Sequence, residues 1–187
     1  LRKLDLSSNE LTGAIPAVLC KCTALTELSL NCNSLTGEIP MRLGQQCKGL
    51  KKLFLSENRL AGAIPAALCN CSAIEVIDLY GNQLTGVVPS EFGQLQEVRD
   101  LNLWGNQLSG EIPASLGECR SLENLHLDCC KLTGSIPAAL GNCARLLKLT
   151  LSENQLTGKV PDALGQCGAL KELLLFGNLL TGAAPVF

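Results

Sequence analysis

His126, Asp128, Cys129 and Cys130 come nearest, by type and spacing, to a reactive site in this chain. In an extended segment, residues two apart share a face, so His126 and Asp128 lie side by side with two thiols just beyond. A metal or thiol-nucleophile site can be drawn from them. The rest of such a site is missing. His126 is the only histidine, and no spaced carboxylate pair stands by to share acid–base work. Gly158-Lys159 lacks the earlier glycine that a phosphate loop needs. The plainer reading, a histidine filling a variable surface position beside a solvated acid, is preferred. No metal, nucleotide or other cofactor is expected, and no enzymatic activity.

The elements that carry these residues follow from a repeat. Units open at Leu1, Leu25, Leu50, Ile74, Val98, Leu122, Leu146 and Leu170, so the period is 24 residues, with one extra residue near Gln45-Gln46. The eighth unit stops after Pro185-Val186-Phe187. Such a period signals a solenoid, in which no unit folds alone and stacking supplies the core. Within each unit apolar residues recur two apart, as in Leu53 and Leu55, which predicts a short strand. Asn follows at Asn9, Asn33, Asn58, Asn82, Asn106, Asn154 and Asn178, with Cys130 in its place in the sixth unit. An amide that donates and accepts can satisfy backbone groups of its own coil and the next, forming a ladder. Fixed glycine and proline positions then turn the chain, and a short helical turn follows with Leu19, Leu43, Leu68, Phe92, Leu116, Leu140 or Leu164 facing inward.

The bulk composition excludes some functions. With 15 basic and 17 acidic residues the net charge is −2, without the basic stripe that nucleic acid requires. No apolar run is long enough for membrane insertion. Six of the 11 cysteines (Cys22, Cys47, Cys71, Cys119, Cys143, Cys167) share one repeat slot that Leu95 fills in the fourth unit. A slot that accepts leucine predicts small buried hydrophobes rather than a disulfide framework, although adjacent units lie within disulfide reach. Cys20, Cys32, Cys69 and Cys129 fall where the pattern predicts exposure, which favours a reducing, intracellular setting. The glycosylation sequon Asn70-Cys71-Ser72 points the other way.

The stretches Asn9-Glu10-Leu11-Thr12-Gly13-Ala14-Ile15-Pro16 and Asn106-Gln107-Leu108-Ser109-Gly110-Glu111-Ile112-Pro113 carry a family hallmark. Over its whole length the chain resembles the plant-specific type of leucine-rich repeat (LRR), found in receptor-like kinase and receptor-like protein ectodomains and in polygalacturonase inhibitors. The resemblance implies an α/β solenoid of about eight units with a concave parallel β-sheet, short convex 3-10 or helical turns, and a second short sheet on one flank. It also implies an extracellular or cell-surface location. We read residues 1–187 as a single LRR domain that lacks the terminal caps usual in the family, so end-to-end packing with flanking repeats or partner chains is expected.

Outward strand positions form two columns along the concave face. One reads Asp5, Ser29, Phe54, Asp78, Asn102, His126, Thr150, Leu174; the other reads Ser7, Asn31, Ser56, Tyr80, Trp104, Asp128, Ser152, Phe176. The only Trp and only Tyr are thus neighbours on an exposed surface, where aromatics commonly anchor partners. The competing reading is that they pack along the sheet. In units four to six the acids Glu75, Asp78, Asp100, Glu123 and Asp128 are opposed only by Arg99, which suits a basic or mixed peptide. The expected function is recognition of a protein or peptide by Phe54, Asp78, Tyr80, Arg99, Asn102, Trp104, His126 and Asp128. A structural or assembly role is the alternative, and the resemblance adds inhibition of a secreted cell-wall glycosidase as a third.

Overall fold

The computed structural model describes residues 1–183; the end of the eighth unit, Pro185 with its proline slot included, lies outside the described residues. Eight three-residue strands, from Lys3–Asp5 to Glu172–Leu174, form one parallel sheet in chain order. Each pairs in register with the next, so the central residues Leu28, Leu53, Ile77, Leu101, Leu125 and Leu149 stack into one buried row. Strands this short cannot persist alone, and burial of roughly 1.5–3 kcal/mol per large apolar side chain accrues only when coils stack. A second set of strands flanks the main sheet in three pieces: four strands between Thr12 and Thr85, then two pairs beyond.

Five-residue 3-10 turns return the chain on the convex side, each entered by a proline with extended backbone. In the second unit this turn is an α-helix, Met41–Gln46, and that is where the extra residue lies. The added residue accommodates the wider 3.6-residue turn: Cys47 N–H bonds Leu43 four residues back, whereas Cys22 N–H reaches Leu19 three back.

The asparagine ladder is present in full detail. Asn58 donates to the carbonyls of Leu30, Leu55 and Ser56, and its Oδ1 accepts from Leu35 N–H. Asn82 and Asn106 repeat the arrangement one coil on each time, and Asn154 repeats it two coils beyond Asn106. The residue before the ladder position is left-handed in every unit: Gly81, Gly105 and Gly177, but also Ser8, Cys32, Glu57, Cys129 and Glu153, with φ from 50° to 56° in these last five. A left-handed non-glycine residue costs about 1–2 kcal/mol. Four of the five stand directly before a ladder asparagine, which clamps the turn; the fifth, Cys129, precedes Cys130.

All 11 cysteines are unpaired. Those in the repeat slot are buried, apart from half-buried Cys22, and several thiols donate to a carbonyl of the preceding coil, as Cys119 does to Phe92 at 3.2 Å. Burial pushes the Cys71 and Cys119 thiols up to about 12, which keeps them protonated and inert. One expectation fails: Cys20 is 1% exposed, and Cys32 and Cys69 are half-buried, leaving only Cys129 of that group at the surface. Cys20 and Cys69 occupy the slot held elsewhere by Gly44, Gly93, Gly117 and Gly141, where the next coil presses close. A Cβ on Gly117 would stand 2.1 Å from Ala139 O, so a side chain in this slot is covered by the neighbouring turn rather than presented to water.

Cys130 is the one break in the ladder from Asn9 to Asn178. Its thiol reaches Leu103 O at 3.6 Å, a weak substitute for an amide making four bonds. Cys130→Asn should therefore stabilise the chain by roughly 1 kcal/mol, seen as a higher melting temperature. An unchanged or lowered melting temperature would contradict the ladder's role.

Candidate functional site on the concave face

The main sheet's register places the first column as the sequence predicts: Phe54, Asp78, Asn102, His126, Thr150 and Leu174 are successive cross-strand partners. Tyr80 and Trp104, one column over, stack with ring centroids 5.4 Å apart at 21°. Their roles differ. Tyr80 donates its hydroxyl to Glu57 Oε1 at 2.6 Å, a bond that raises its phenol to about 12. Glu57 also accepts from Cys32 Sγ. Tyr80 is thereby fixed as a backing plate, while Trp104 remains 45% exposed.

Beyond Trp104 the concave face opens into a depression of about 440 Å³ that spans units five to eight. Trp104 and Asn102 border it on one side and Leu174 and Phe176 on the other, with His126, Asp128, Thr150 and Ser152 between them. Phe176 is 64% exposed. Four predicted residues, Asn102, Trp104, His126 and Asp128, come together here. Phe54, Asp78 and Tyr80 lie further along the sheet toward the N-terminus, and Arg99 sits at the strand entrance. Sequence reasoning did not single out Lys148, Thr150, Ser152, Glu172, Leu174 and Phe176, though four of them stood in its two columns, and it weighed Cys129 only as part of a metal or thiol site.

The acidic surplus is smaller than the sequence suggests. Lys51 pairs with Glu75 at 3.3 Å and Arg99 with Glu123 at 3.6 Å; Lys3–Glu27 and Lys148–Glu172 repeat the motif in the outer units. Lys51 comes from the coil before unit four, so a count confined to units four to six misses it. Among the described residues Asp78, Asp100 and Asp128 form no ion pair with a lysine or arginine. Burial raises the Asp78 and Asp100 carboxyls above their usual range; hydrogen bonds from Ser56 and Tyr80 N–H oppose this at Asp78, and His126 and Asn124 oppose it at Asp100.

Asp128 anchors a polar chain. It accepts from Ser152 N–H at 2.8 Å and from the Thr150 hydroxyl, and Thr150 Oγ1 is also 3.0 Å from His126 Nδ1. Thr150 has one hydroxyl proton, and Asp128 takes it. His126 Nδ1 then donates to Thr150 Oγ1, and Nε2 makes no protein hydrogen bond among the described residues. Among the described residues no group of three His, Cys, Asp or Glu side chains is disposed to hold a metal ion, and no helix is long and apolar enough to cross a membrane.

A curved parallel sheet with 3-10 turns and an asparagine ladder defines the class of solenoid repeat proteins. The leucine-rich-repeat family model matches residues 1–60, 48–108 and 120–180, and the chain belongs to that family. Among solved structures it is similar to the plant peptide hormone receptor RGFR1 in complex with RGF2 (40% identity, TM-score 0.95, covering 96% of this chain and 29% of that one). It is also similar to the Arabidopsis receptor kinase HAESA in complex with the peptide hormone IDA and the co-receptor SERK1 (39%, TM-score 0.93, 96% and 30%). A plant ice-binding protein shares the fold at 25% identity and TM-score 0.76, over all of this chain and 67% of that one. The chain spans under a third of the length of the receptors it matches. No curated protein sequence matches it.

The raised Asp100 carboxyl gives a signed expectation. A folded state that holds its proton to higher pH than the unfolded state loses stability as pH rises between the two values, and the deficit persists above them. Asp100→Asn should raise the melting temperature at pH 7, with the gain vanishing below about pH 4. An equal gain at both ends of the pH range would show that burial of the charge is not the cause.

Proposed function

We propose that this domain is a non-enzymatic recognition module that binds an extended peptide, or a peptide-like segment of a protein, on the concave face of units five to eight. The observation that carries the reading is Trp104: a large aromatic ring braced by Tyr80 on one side, exposed on the other, at the lip of a depression lined by apolar and polar groups. A ring held rigid before binding loses little entropy on contact, and such rings make anchors. The solved receptors whose ectodomains resemble this chain are complexes with peptide hormones, which supports a peptide as the partner. Fold likeness alone would not suffice, since an ice-binding protein uses the same fold.

The likeness to a plant peptide hormone receptor and a receptor kinase supports an extracellular setting. So does Asn70, which stands exposed at the end of a convex turn in the only glycosylation sequon, with exposed Ser72 as its third residue.

The test uses the chain secreted from eukaryotic cells, where Asn70 should acquire a glycan; an unmodified Asn70 would contradict the extracellular part. Peptides from a random displayed library are then selected on this material. Their affinity should fall by at least about 2 kcal/mol, roughly thirtyfold, with Trp104→Ala, and stay within about 0.5 kcal/mol with Glu118→Ala on the convex side. Trp104→Ala should cost no more than about 1.5 kcal/mol of stability, the value of an aromatic pair. Peptides that bind the Trp104→Ala chain as well as wild type would move the recognition surface elsewhere.

A further inference from the structure

The depression beyond Trp104 holds acceptor sites that no protein donor fills. Asp128 uses two of its four or so lone-pair sites on Thr150 and Ser152, leaving the others open. With Nδ1 engaged by Thr150, Nε2 is the ring nitrogen of His126 that no protein group bonds among the described residues. Ser152 adds an independent sign of a missing partner: its hydroxyl is buried, the residue is 1% exposed, and no group bonds it. The cause lies in the register. Ser56, in the same column, donates to Asp78 22 residues ahead on the next strand, and Leu174 occupies that place for Ser152, whose hydroxyl is left with no acceptor for its proton and with both lone pairs open to a ligand donor. On the donor side Lys148 is engaged by Glu172 at 3.2 Å.

Such a pocket fits a ligand group that carries several donors, bears positive charge and has a flat face for Trp104. Ammonium supplies a compact point charge; guanidinium supplies five donors in a planar fork and stacks on indole. We propose that the depression is an arginine-binding subsite, in which a partner peptide lays a guanidinium on the open face of Trp104 and donates toward Asp128 and the Ser152 hydroxyl oxygen. The aliphatic part of that side chain rests toward Leu174 and Phe176. Asp78 and Asp100, further along the sheet, extend the negative potential that steers a cationic segment into this groove. This inference rests on the concave-face reading above and names the chemistry of its partner.

The single tryptophan makes the test direct, since one indole N–H signal reports on the site. The probe is the tripeptide Ac-Gly-Arg-Gly-NH2, titrated into the isotopically labelled chain, with citrulline, lysine and leucine analogues alongside. The expected result is a saturable shift of the Trp104 indole signal with a Kd of about 1–10 mM, fitting a fragment contact. Citrulline, which keeps the shape and loses the charge, should bind at least about tenfold more weakly, as should arginine to Asp128→Asn. Equal binding by citrulline or leucine, or no shift with any arginine probe, overturns the proposal. Because the citrulline comparison uses the unaltered chain, a misfolded variant cannot obscure the outcome. If arginine fails while library-selected peptides still require Trp104, concave recognition stands and its partner chemistry is different; if the Trp104 requirement is absent, that broader reading falls instead.

Discussion

Everything on the concave face depends on the hydrogen bonds that each ladder asparagine makes to two coils at once. Asn106 holds carbonyls of Leu79 in the preceding coil and of Leu103 and Trp104 in its own, and its oxygen takes Leu84 N–H. These bonds lock one coil to the next at a fixed offset. Side chains 24 residues apart therefore stand as neighbours, and a short strand of three residues becomes part of an eight-stranded sheet. The ladder also holds the left-handed turn at Cys32, Glu57 and Glu153 despite their side chains.

That offset converts a one-dimensional repeat into a two-dimensional surface. Residues at variable positions need not contribute to folding, since the core row of Leu and Ile and the ladder already specify it. They are consequently open to functional variation, and the chain uses them unevenly. Near the N-terminal units, Ser7 pairs with Asp5 and Ser56 with Asp78, so their polar groups are satisfied within the sheet. In the last units Leu174 replaces the acceptor, Ser152 is left alone, and Trp104 and Phe176 stand clear of the core. Satisfaction gives way to openness along one face of a regular scaffold, as expected where a site is grafted onto a fold.

Much of this was legible in the sequence, because strict periodicity fixes which residues share a column. The first column, from Phe54 to Leu174, and the Tyr80–Trp104 contact follow from spacing alone. What spacing does not carry is the pairing between side chains on different coils. Lys51 neutralises Glu75, and Thr150 ties Asp128 to His126, only because particular rotamers meet across adjacent strands. Rarity drew attention to Trp104 but says nothing of where the sheet opens, so Leu174, Phe176 and Ser152 were not singled out. Cys20 was misplaced for a related reason: its burial is caused by the neighbouring coil, not by its own segment.

The central claim is that the open columns of units five to eight are the face that receives a partner. A crystal structure of the chain bound to a peptide selected on it tests this most directly. The account predicts an extended peptide crossing the concave sheet, with Trp104 buried beneath it and the His126–Thr150–Asp128 chain at its centre. A peptide seated on the convex 3-10 turns or along the flanking strands, with Trp104 still open to solvent, would contradict it.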